Sequence, residues 1–233
     1  MPASICGKIT HRLFYLETSP MDFLTNLAMF AIPTIFAITV HEAAHGYVAM
    51  KLGDKTAKNL GRVTLNPIVH IDPIGTVLVP ALALALGGVM FGWAKPVPVD
   101  QSKLRYGRKS MVWVALAGPA SNFVMAIMWA LVCLAGRQGL GGDSLAPGMA
   151  AMGLAGIKIN MILMIFNLLP LPPLDGSRVV ARFLTGKARQ MWSTLEQYGM
   201  FVLFGLMLIP GLLALWVTPW MRVFSFIPGI AGL

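Results

Sequence analysis

The chain has 233 residues, of which 57% are hydrophobic and only 12% charged, with a formal net charge of +9. Soluble domains sit nearer ~45–50% apolar and ~25% charged, so the composition excludes an ordinary soluble domain, a disordered chain and a disulfide scaffold. The basic excess lies in short loops beside apolar runs, where a positive-inside bias accounts for it, so no nucleic-acid partner is expected.

In chain order, residues 1–20 are polar and irregular. They do not read as a signal peptide, because the apolar run after them is too long for an h-region and no cleavage site follows it. Five stretches then read as membrane segments by length and lack of charge. These are Phe23–Val40 continuing into His41–Met50, then Ile74–Phe91, Met111–Ala135, Met149–Leu169 and Tyr198–Val217. A short apolar tail, Trp220–Leu233, is broken by Pro219 and Pro228 and is placed at the membrane interface. Lys158 lies inside the fourth segment, where it must snorkel or face a polar interior. Cys6 and Cys133 form no CxxC pair. The expected fold is an all-α polytopic membrane protein of one domain, 1–233. It has a core at 23–190 and a C-terminal membrane helix and tail at 195–233. The proline-punctuated stretches Gly61–Val69 and Trp93–Val99 suit short β-strands near the active site. Such edges would either hold an extended substrate segment by β-addition or merely seal a cavity.

Of the nine acidic residues, only Glu42 follows directly on a long apolar run, in His41-Glu42-Ala43-Ala44-His45. His41 and His45 are i and i+4, so they share one helical face and can grip one metal ion. Glu42 is offset by about a quarter turn and can reach a metal-bound water without being a ligand. A catalytic zinc takes a third protein ligand. The candidates are His11, His70 and the other acids, and Asp175 stands out. It ends Asn167-Leu-Leu-Pro-Leu-Pro-Pro-Leu-Asp175-Gly176, where three prolines force the helix to unwind. Unwound backbone at membrane depth belongs in a protein interior or a water-filled cavity. Asn167 can bond backbone or substrate there, or cap the broken helix.

These two motifs resemble the site-2 protease family of intramembrane zinc metalloproteases. Gly118-Pro119-Ala-Ser-Asn122 resembles a further motif of that family. Gly61-Arg-Val-Thr-Leu-Asn66-Pro67, His70-Ile-Asp-Pro73 and Gly92-Trp-Ala-Lys-Pro96-Val-Pro-Val99 resemble its compact bacterial branch, which carries neither PDZ nor CBS domains. The resemblance implies one zinc per chain on His41, His45 and Asp175, with Glu42 as the catalytic residue and Asn167 and Asn122 as candidate substrate contacts. It implies a transmembrane-protein substrate cut in or near its membrane segment, and a place in the bacterial inner membrane. It implies nothing about oligomeric state.

The metal site constrains topology. The ends of the first and fourth segments share a side if Ile74–Phe91 is re-entrant or short, which gives about four crossing helices; the alternative is a full crossing with the site deep in the bilayer. With that segment re-entrant, the 17 basic residues other than Lys158 split 13 to 4, against 11 to 6 if it crosses. The stronger bias puts the active-site side in the cytosol. A different class, a divalent-metal transporter, also places His and Glu in membrane helices. Glu196 is the third ligand under yet another zinc-protease pattern.

Overall fold

In the computed structural model the described residues are 20–79, 92–207, 209 and 211–233. Cys6, His11 and the part of Ile74–Phe91 from 80 onward lie outside them. The long elements are helices, α1 (Pro20–Lys51), α3 (Arg108–Arg137), α4 (Gly142–Asn167) and α6 (Gly186–Met207). Shorter ones are α2 (Thr56–Asn59), α5 (Asp175–Ala181), α7 (Leu212–Val223) and α8 (Phe226–Ile230), with tight 3-10 turns at Pro67–His70 and Gln101–Lys103 and a wider π-helical turn at Pro73–Leu78.

α3 and α4 form an antiparallel hairpin. At ~1.5 Å per residue their 30 and 26 residues exceed a ~30 Å hydrocarbon core. Both are long and apolar enough to cross a membrane. Small residues bring them together: a Cβ on Gly153 would stand 2.5 Å from the Cys133 backbone nitrogen. That close approach is the packing that drives helix association in lipid. α1 packs against both helices, so three helices share one core.

The C-terminal part differs from the sequence expectation. One segment was expected at Tyr198–Val217, yet α6 ends at Met207 and α7 starts at Leu212. Gly211, at φ +79°, sits in the left-handed region at the break. Pro219 and Pro228 do not break the tail but lie inside α7 and α8. The unit long and apolar enough to cross is Leu212–Ile230. It runs back along α4: Trp216 Nε1 donates to Ile165 O (2.9 Å) near the end of α4. At the other end Ile227 and Ala231 bury against Ala130, Cys133 and Ile157. α6 instead stays beside the α4 end, with Gly199 against Pro172.

The expected short strands are also absent among the described residues. Pro67 opens a helical turn capped by the Asn66 side chain. Residues 93–97 form no regular element, and Pro96 has no amide to place in a ladder. Their alternate amides go elsewhere: Trp93 N to Gly75 O (3.1 Å), Lys95 N to His70 O (2.9 Å) and Val97 N to Glu42 Oε2 (2.8 Å). The Thr76 hydroxyl also donates to Trp93 O (2.9 Å). The two stems of the second apolar segment therefore stand side by side.

Candidate metal centre

α1 presents His41 and His45 inward from successive turns, both buried. Asp175 arrives from the opposite direction as the first residue of α5. The chain reverses between Asn167 and Asp175 because Pro170, Pro172 and Pro173 cannot extend α4. Gly176 lets α5 tuck under the α4 end, since a Cβ there would collide with the Leu168 and Leu169 carbonyls. Asn167 Nδ2 donates back to Leu163 O (2.9 Å), closing the last turn of α4.

His41 Nε2 and His45 Nε2 each lie 3.2 Å from Asp175 Oδ2 and 3.0 Å from each other. The far side of each ring fixes its tautomer. His45 Nδ1 faces the Val114 carbonyl at 2.7 Å, which can only accept. His41 Nδ1 faces Asn122 Oδ1 at 2.5 Å. The Asn122 amide is oriented by its own donors, Nδ2 to Asn160 Oδ1 (2.9 Å) and to Ala37 O (3.4 Å). Asn160 in turn donates to Gly156 O (2.9 Å). Both rings thus carry their proton on Nδ1 and turn the Nε2 lone pair inward.

Three acceptors therefore converge with no donor between them, and Asp175 Oδ2 is buried without a hydrogen-bond partner. An arrangement of two imidazole nitrogens and one carboxylate oxygen, all within 4.8 Å of one another, can hold a metal ion. Zinc takes such N and O ligands, and three protein ligands leave one position open. The outer hydrogen bonds from Val114 and Asn122 are the supports that ligating histidines ordinarily have.

A cavity of about 420 Å³ opens onto this cluster. Glu42, Asn167, Trp93, Phe166, Met200 and Leu203 are among its lining residues. Glu42 is half-buried, with Oε2 held by the Val97 amide. Arg62 fixes that stretch by donating from Nη2 to Lys95 O (2.8 Å) and Pro96 O (3.2 Å).

The structure brings together His41, Glu42, His45, Asn167 and Asp175. It sets Asn122 apart: fully buried, its amide supports His41 and lines no part of the cavity. His70 is buried with Nε2 on Thr64 O (3.0 Å), outside the cluster. Glu196 pairs with Arg189 (3.1 Å) and is likewise outside it. Sequence reasoning missed Asn160 and the Val114 carbonyl, and it picked out Gly118 only as part of a motif, without its packing role. A Cβ on Gly118 would press on both histidine rings. An asparagine amid the apolar residues of α4 was a legible signal for Asn160; a carbonyl carries none.

A family model described as peptidase family M50 matches residues 142–210. Several relatives bear the name "Putative zinc metalloprotease". YwhC of Bacillus subtilis is 40% identical over 88% of this chain and 89% of its own length. Rip2 of Mycolicibacterium smegmatis is 26% identical over 91% and 82%. The regulator of sigma E protease of Haemophilus influenzae is 32% identical, over 46% of this chain and 25% of its own. No solved structure matches.

Proposed function

Because the chain belongs to peptidase family M50, the site-2 protease family of membrane zinc metalloproteases, we propose that it hydrolyses a peptide bond in or near a transmembrane segment of another membrane protein. Zinc is its cofactor, and His41, His45 and Asp175 are the ligands we assign to it. The observation that carries this assignment is the convergence of three buried acceptors with no donor among them. A bound zinc supplies Lewis-acid chemistry, acidifying a water and polarising a carbonyl. The rest falls to the chain's own residues. Glu42 takes the water's proton on the carboxylate oxygen that Val97 leaves free and delivers it to the departing amine. Asn167 lines the cavity beside the ligands and meets the unwound substrate backbone.

We further assign four crossings, α1, α3, α4 and α7–α8, with Ile74–Phe91 re-entering on the active-site side. Its stems are hydrogen-bonded to each other, which supports that reading. The basic residues gather on that side, favouring the cytosol in a bacterial inner membrane. The substitution Glu42→Gln tests the function. Cleavage of a membrane-protein substrate should fall at least ~100-fold, the lower range for general-base catalysis. Zinc content should stay unchanged. Loss of zinc with cleavage would remove Glu42 from the role of base.

A further inference from the structure

A second cavity, of about 310 Å³, lies between the start of α3, the Pro172–Pro173 turn, α5 and α6. Four of its lining residues are arginines, Arg108, Arg178, Arg182 and Arg189, against one acid, Glu196. Only Arg189 is paired, with Glu196 at 3.1 Å. Among the described residues, Arg108, Arg178 and Arg182 meet no carboxylate within ion-pair distance. Concentrating like charges around one concavity is repulsive unless an anion shares it.

Two further observations point to such an anion. Arg108 and Lys109 occupy the first turn of α3, the end of a helix that disfavours cations, and Gly107 gives that end no side-chain cap. The cavity's cations are all guanidinium groups, whose planar forks match phosphate oxygens in pairs. Its depth identifies the source. Arg108 stands three residues before the apolar run from Met111, and Pro172 lies five residues beyond the end of α4. Both lie at the ends of helices long and apolar enough to cross a membrane. Phe183 and Met191, beside Arg182 and near Arg189 in the chain, are each 75% exposed and offer contacts to acyl chains.

We propose that this cavity binds the phosphate of an anionic phospholipid headgroup, with Arg108, Arg178 and Arg182 as its anion ligands. Basic pockets at the cytoplasmic boundary between membrane helices have the chemistry for such headgroups. Arg178 lines the metal-centre cavity as well, so a lipid held here steadies the short helix that carries Asp175.

The test uses the full chain, delipidated and returned to nanodiscs. Phosphatidylglycerol and phosphatidylcholine binding are read by native mass spectrometry and melting temperature, and zinc is measured separately. The wild type should retain phosphatidylglycerol preferentially. R108Q/R182Q should lower that affinity roughly 30-fold, the equivalent of about 1 kcal/mol of attraction per arginine at an anionic surface. R108K/R182K should keep most of it. If the double Gln variant does not fold, R182Q alone is read in the same way. Equal binding of the two lipids, or undiminished phosphatidylglycerol binding by the Gln variant, overturns the proposal. Displacement of phosphatidylglycerol by inorganic phosphate overturns the lipid assignment in favour of a free anion.

Discussion

Asn122 touches no part of the cavity, yet the direction of the His41 lone pair depends on it. Removing its amide also leaves Asn160 without the donor that meets its Oδ1. Asn122→Ala should weaken zinc binding 10–100-fold, the range for outer-shell partners of ligating histidines; competition against a chelator measures it. Gly118→Ala places a methyl against both imidazoles. It should abolish zinc loading while Gly148→Ala, open to space on α4, leaves it intact; metal analysis of the purified proteins decides. The cluster itself was readable from i, i+4 spacing and a proline-broken helix. The supports were not. Val114 acts through a carbonyl that every residue possesses, and spacing says nothing about which way the Asn122 amide turns.

The turn between α4 and α5 is an element-scale device. With Pro170, Pro172 and Pro173 all changed to alanine, α4 can continue, moving Asp175 away by ~1.5 Å per added residue. The variant should insert in the membrane but lose zinc and cleavage; retained activity would make the prolines incidental. A second device is Asp54, fully buried after α1. Its Oδ1 accepts from Thr56 N (2.9 Å) and its Oδ2 from Asp100 N (2.7 Å). Burial pushes this carboxyl up, but the Thr56 and Asp100 bonds and the Lys103 charge outweigh it and hold it below the usual range. Asp100 is drawn down to about 2 by the Ser102 hydroxyl, then by Lys103. Both values are depressed on folding. Their stabilisation is therefore complete above the ordinary carboxylate value near ~4 and is lost as pH falls toward about 2. Thermal unfolding should show wild type declining across that window and Asp54→Asn, already less stable, changing less. The helices were legible because long apolar runs have few alternatives. The strands were misread because Val and Thr content records propensity, whereas a ladder needs amides that prolines lack and that Glu42 and neighbouring carbonyls had already taken.

Across the whole molecule, the sequence located most of the apolar stretches but misplaced the last of them. The fifth segment shifted to Leu212–Ile230 because only packing on α3 and α4 distinguishes it from the equally apolar end of α6. Cysteines at Lys55 and Lys103 should be labelled from the same face, since Lys103 Nζ reaches Thr56 Oγ1 at 3.2 Å. A cysteine at Asp143 should label from the other face, together with one at Leu233; opposite labelling of Asp143 and Leu233 would unseat the α7–α8 crossing. The converging ligands also have a mechanical consequence. His45 and Asp175 are 130 positions apart (175 − 45), so an ion between them closes a long loop much as a crosslink does. Closing long loops restricts the unfolded chain most, and a ligand held only by the native state adds its binding energy to folding. The pieces it ties are unequal. The α3–α4 hairpin has its own extensive interface, whereas α5 is seven residues long and rests on α3 and the prolines. Stripping the metal should therefore lower the melting temperature by several degrees and open residues 168–200 to hydrogen exchange, while the hairpin stays protected.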